Sequence, residues 1–189
     1  MTDTLKDYLE KLTKMIRDSK MNNEFFYKSM EEFVLLNGQE FKPQSLSEEE
    51  RKFVFGLIER DYIDCKVKEC FANSQKIATS NDKILYVEGF ALPENLIPVL
   101  HSWNVLNGKV IDLTWCDNCD LIDKSKSQWK KRKDNIILGD FKGEYFGVII
   151  PTKLIRNRMI KTGTFSSMID DWENKYPLLM KKWALITQK

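Results

Sequence analysis

Asn107-Gly108 separates two strand-like runs, 98–106 and 109–115, and this dipeptide constrains the fold more than any other feature of the chain. A two-residue Asn-Gly loop favours a type I′ hairpin, because both central positions need positive φ. That turn sets Leu106 opposite Lys109, Trp103 opposite Asp112 and His101 opposite Thr114. Opposed residues share a face, and so do residues two apart along a strand. His101, Trp103, Val110, Asp112 and Thr114 are therefore expected on one face, with His101 diagonal to Asp112. Diagonal neighbours lie roughly 7–8 Å apart at the backbone, within reach of an imidazole-to-carboxylate hydrogen bond. The chain has a single histidine, and the hairpin register brings it to an aspartate. A base held by an acid is half of a nucleophilic triad, and Cys70, in "ECFANSQ", is the candidate nucleophile.

The rest of the chain supplies helices before the sheet and helices after it. Leu5, Leu9, Leu12 and Ile16, with Tyr8 alongside, recur at helical spacing and predict a helix over 3–19. Phe26, Met30, Phe33 and Val34 predict a second, stopped at Asn37-Gly38. Ser47 followed by Glu50 is a capping box that opens a third, running to about Arg60. A fourth is expected to start near Cys70 and run to about Thr79. Residues 83–91, "KILYVEGFA", then read as a strand ahead of the hairpin. "DNIILGDF" (134–141) and "EYFGVIIP" (144–151) read as two more strands, and 152–161 and 165–184 as helices. Helices packed on a small antiparallel sheet make an α+β domain. The whole of 1–189 is expected to be one domain, with an N-terminal helical part (1–64), a core carrying Cys70, His101 and Asp112 (65–151) and a C-terminal helical part (152–189).

Composition narrows the classes of function. With 189 residues, 42% of them hydrophobic, and a net charge of +2, the chain can bury a sizeable core. The near-balanced charge gives no global attraction to nucleic acid or an anionic membrane. No apolar run approaches the roughly 18–20 residues needed to span a bilayer. The charged start, "MTDTLKDYLEKLTKMIRD", resembles neither a signal nor a transit peptide, so the expected compartment is the cytoplasm. There, Cys65, Cys70, Cys116 and Cys119 read as reduced thiols or metal ligands.

Each candidate site has a plain structural alternative. Cys70 at a helix N-terminus would have its thiolate favoured by exposed N–H groups and the helix dipole, but a buried cysteine is commonly an inert core residue. His101 alone fits a satisfied strand histidine, and Asp112 alone a surface carboxylate; the shared face joins them. Cys116 and Cys119 form a C-x-x-C pair that Cys65 and Cys70 could complete as a four-thiolate zinc cluster, which would remove Cys70 from catalysis. Lys124, Lys126, Lys130, Lys131, Arg132 and Lys133 surround Trp129, a loop that fits single-stranded nucleic acid, an acidic protein substrate or plain solvation.

A cysteine opening a helix, a strand with His101-Ser102-Trp103 and a strand with Asp112-Leu113-Thr114 together resemble the core of the transglutaminase-like superfamily, within the papain-like fold. The resemblance covers about 65–115, and "YVEGFA" resembles bacterial and phage members of the group. It implies Cys70 as nucleophile, His101 as base and Asp112 as the residue orienting His101. The implied activity is attack on an amide, ending in hydrolysis, deamidation or transfer to an amine, with a protein or peptide as substrate and no cofactor. The stretch "DYIDCKVKE" ahead of the helix carries neither the Gln nor the Trp that papain-like enzymes often use as an oxyanion donor, so the Cys70 N–H together with a second donor from elsewhere is expected. Trp103 and Trp115 are candidate substrate-binding residues. Glu88 is another, with solvent exposure as its alternative. The competing function is a non-catalytic interaction or nucleic-acid-binding module of the same fold, with zinc held by the cysteines as its stabilised form.

Overall fold

The computed structural model describes residues 4–18, 24–66, 68–94, 96–115 and 143–187. In chain order the elements are α1 (Leu5–Asp18), α2 (Met30–Asn37), β1 (Gln39–Phe41), α3 (Glu48–Arg60), α4 (Cys70–Ser80), β2 (Leu85–Pro93), β3 (Val99–Leu106), β4 (Lys109–Ile111), β5 (Gly143–Ile150), α5 (Thr152–Thr162) and α6 (Trp183–Thr187). The strands form one sheet in the order β1-β5-β2-β3-β4, with every pairing antiparallel. The architecture is α+β, helices on a small antiparallel sheet. No helix among the described residues is long and apolar enough to cross a membrane.

The hairpin forms in the expected register. Leu106 pairs with Lys109, Val105 with Val110 and Asn104 with Ile111, and Asn107 (φ 53) and Gly108 (φ 80) both have the positive φ that a type I′ turn needs. The capping box is also present: Ser47 Oγ accepts from the Glu50 N–H, and the Glu50 carboxylate accepts from the Ser47 N–H. Gly38 ends α2 for a different reason from the one expected. Its backbone is extended, not left-handed, but a Cβ there would lie 2.5 Å from the Val34 carbonyl and 2.7 Å from the Gly147 carbonyl. The glycine allows α2 to approach β5.

Alternation along the strands divides the sheet into two faces. Tyr86, Phe90, Leu106, Phe146, Val148 and Ile150 join the main core with the helices, whereas Val87, Ala91, Trp103, Val105, Val110 and Tyr145 form a second, smaller core on the other face. Gly89 lies opposite both His101 and Gly147, so one row across the sheet has two residues without side chains. A Cβ on Gly147 would sit 2.7 Å from Trp103 Cη2, which shows that the indole occupies that gap.

Two expectations need correcting, and one strand had no expectation behind it. The strand expected over 109–115 stops at Ile111, because Asp112 turns its carboxylate back onto the next amides: Oδ1 accepts from Thr114 N at 2.9 Å and Trp115 N at 3.0 Å. The helix expected over 165–184 is absent; that stretch has a single 3₁₀ turn at Trp172–Asn174, and α6 begins at Trp183. Left-handed Lys175 and Tyr176, followed by Pro177, interrupt it. Finally, β1 was not anticipated; it exists by pairing with β5. The strand expected at 134–141 and the basic loop around Trp129 lie outside the described residues.

Candidate active site

The end of β4 makes room for the site. Beyond Asn104, β4 no longer pairs with β3, and α4 docks beside that part of the strand. Ser74 Oγ donates to the Ser102 carbonyl at 3.2 Å, and Asn104 Nδ2 donates to the Ser74 carbonyl at 2.9 Å. Asn73, fully buried, ties in the loop ahead of the helix: its side chain accepts from Lys66 N at 3.0 Å and donates to the Lys66 carbonyl at 2.7 Å and to Thr114 Oγ1 at 2.9 Å. One asparagine therefore fixes the approach to Cys70 relative to the turn that carries Asp112. Lys68, left-handed at φ 66, redirects the chain into the helix.

Cys70 is the first residue of α4, and no side chain caps this helix at Glu69. The amides of the first turn keep their donor capacity, so the Cys70 N–H is placed to bind developing negative charge. Cys70 is 8% exposed, His101 2% and Asp112 0%. Of the three, Cys70 keeps the most exposure.

His101 and Asp112 are joined by a short contact, Nε2 to Oδ2 at 2.6 Å. The carboxylate is fully used. Tyr145 Oη donates to Oδ2 at 3.0 Å, and the two amides of the Asp112 turn saturate Oδ1. Burial alone would disfavour the imidazolium, but the Asp112 charge and hydrogen bond, then the hydrogen bond and charge of Cys70, outweigh it and push His101 up to about 9. Burial likewise opposes the Asp112 carboxylate, yet His101 and the backbone donors hold it below its ordinary value. With Nε2 committed to Asp112, Nδ1 is the ring nitrogen left for other partners.

Trp115 stacks on the imidazole at 4.0 Å and 7°, held by the bond from its own N–H to Asp112. Trp103 lies behind, fully buried, edge-on to Tyr145 at 4.8 Å. Trp103 presents no surface to a ligand, whereas half-buried Trp115 does.

Glu88 is buried, not exposed. Its carboxylate accepts from Tyr86 Oη at 2.6 Å, from Ser167 Oγ, and from the amides of Met168 at 2.8 Å and Ile169 at 3.0 Å. It fastens the sheet to the C-terminal segment, and no ligand reaches it. Cys65 is a core thiol, with Sγ near the Ile63 carbonyl. Cys116 and Cys119 lie outside the described residues, and no group of three or more His, Cys, Asp or Glu among the described residues is placed to hold a metal.

Sequence reasoning missed two residues of the site. Asn73 stands in the quoted cysteine motif but has no spacing signal of its own. Tyr145 reaches Asp112 from β5, 33 positions away, which no local pattern encodes. Comparison of the chain with protein-family models, curated proteins and solved structures finds no match.

Proposed function

We propose that the protein is a cysteine-dependent hydrolase or acyltransferase acting on an amide bond, with Cys70 as nucleophile, His101 as base and Asp112 as the orienting acid. The observation that carries this reading is the buried 2.6 Å His101–Asp112 contact on a ring that also interacts with the first residue of a helix. An imidazolium formed at neutral pH is a counter-ion for a thiolate at Cys70. The sulfur attacks the amide carbonyl and forms the C–S bond while the carbonyl electrons move to oxygen, which faces the Cys70 N–H. Collapse breaks the C–N bond, and His101 Nδ1 gives its proton to the departing amine. The thioester then passes its acyl group to water, giving hydrolysis or deamidation, or to a second amine, giving transfer. The order of cysteine helix, histidine strand and aspartate turn supports placing the chain with the transglutaminase-like group, and a protein or peptide is the substrate class that follows.

The rival is a silent interaction module of the same fold, favoured by the low exposure of all three residues. Thiol labelling separates the two. Iodoacetamide at pH 7, read by peptide mass, should modify Cys70 before Cys65, and His101→Ala should slow Cys70 at least tenfold. If Cys70 labels only on unfolding, or at a rate indifferent to His101→Ala, it is a core thiol and the enzyme reading fails.

A further inference from the structure

Three aromatic rings surround His101, and one of them meets it face to face. Trp115 stacks on the imidazole with ring centroids 4.0 Å apart and planes 7° from parallel. Trp103, at 6.3 Å and 21°, and Tyr145, at 6.4 Å and 41°, lie beyond the roughly 6 Å within which an aromatic face acts on a cation. The stack is fixed from the backbone. Trp115 N donates to Asp112 Oδ1 at 3.0 Å, while the other oxygen of the same carboxylate takes His101 Nε2 at 2.6 Å. One short turn therefore holds the acid against the edge of the imidazole and the indole against its face.

An indole face carries the negative part of its quadrupole and attracts a cation, most strongly where water is excluded. His101 is 2% exposed, so the contact favours the imidazolium over the neutral ring, which gains no comparable charge interaction. The titratable groups that act on the ring are Asp112, from the turn after β4, and Cys70, from α4, and both favour the cation; Tyr145 of β5 is bonded to Asp112. We propose that Trp115 is a positioning residue, whose indole face holds His101 as the imidazolium that pairs with a Cys70 thiolate. A merely covering residue would act in the opposite direction, since removing it admits water and relieves the burial that disfavours the cation. The sign of the effect on His101 therefore distinguishes the two roles. Only the thiolate half of this role rests on the enzyme reading; the imidazole titrates whether or not Cys70 is a nucleophile.

NMR titration of the single histidine in the full chain tests this directly. Trp115→Leu keeps an apolar cover and the backbone N–H to Asp112 but has no π face, and should lower the His101 pKa by about one unit, a tenfold change in protonation. Trp115→Phe restores a weaker face and should recover at least half of that fall. The carbon-bound ring protons of His101 should move downfield in Trp115→Leu as the ring current of the indole is lost. Iodoacetamide labelling of Cys70 at pH 7 should slow severalfold in Trp115→Leu and by less in Trp115→Phe. A pKa that falls while labelling is unchanged supports the stack and counts against Cys70 as nucleophile, so the two readings fail separately. A His101 pKa unchanged or raised in Trp115→Leu, or lowered equally in both variants, would overturn the proposal.

Discussion

Four donors converge on the Asp112 carboxylate, and their division of labour makes testable claims about single residues. The amides of Thr114 and Trp115 fix where the carboxylate points, and His101 takes the oxygen facing the site. Tyr145 competes for that same oxygen, drawing off part of the charge that would otherwise act on the imidazolium. Tyr145→Phe should therefore raise the His101 pKa above its present value of about 9. The chain has one histidine, so its NMR titration is unambiguous, and a downward shift would show that Tyr145 orients the pair instead of weakening it. Asp112→Asn keeps the shape but removes the charge, so Cys70 labelling at pH 7 should slow, by less than in His101→Ala because the ring is retained. An Asp112→Asn rate equal to that of the parent would mean that the carboxylate does no more than hold its turn.

Elements held by local chemistry were legible in the sequence, and elements held by distant partners were not. The Asn107-Gly108 turn, the Ser47/Glu50 box and the start of α4 at Cys70 each depend on residues within a few positions, so their patterns are visible in the chain. The same register argument brought His101 to Asp112. By contrast β1 is three residues that pair with β5, and the 165–184 stretch is shaped by Glu88, which captures the Met168 and Ile169 amides from about 80 positions away. Nothing near Glu88 in the sequence announces that it would be buried. The glycines separate local from long-range demands experimentally. At Gly108 an added Cβ meets open space but the backbone is at φ 80, so Gly108→Ala should cost about 1–2 kcal/mol from the left-handed backbone alone. Gly147→Ala places a Cβ 2.7 Å from Trp103 Cη2 and 2.9 Å from the Glu88 carbonyl, and overpacking of this kind costs about 1–3 kcal/mol. Urea unfolding measures both. Trp103→Leu should partly rescue Gly147→Ala and leave Gly108→Ala unchanged, and rescue of both would mean that the indole acts on the sheet generally.

At the scale of the whole molecule, the buried site couples stability to pH. His101 is raised from about 6.5 to about 9, so its contribution is complete below pH 6.5 and is lost as pH rises through about 9. Asp112 is lowered, so its contribution is present above its ordinary value near 3.8 and is lost as pH falls through its folded value. Glu88 works in the opposite sense in acid: burial raises it, so the folded state keeps a proton that the unfolded chain releases, and stability declines as pH rises above about 4.5. Tyr86 and Tyr145, buried beside carboxylates and raised well above their ordinary value, extend the loss of stability beyond pH 10. Between pH 6.5 and 9 the His101–Asp112 pair contributes a falling slope. Asp112→Asn should therefore lower the midpoint of thermal unfolding most near pH 6, where leaving one member of a buried pair costs about 3–5 kcal/mol. It should also flatten the slope up to pH 9, because without the carboxylate the largest influence opposing burial at His101 is gone and its pKa falls. Melting curves of the two proteins across this range decide the matter: converging midpoints mean that the pair contributes to stability as a charged unit, and parallel curves mean that His101 is not protonated in the folded protein.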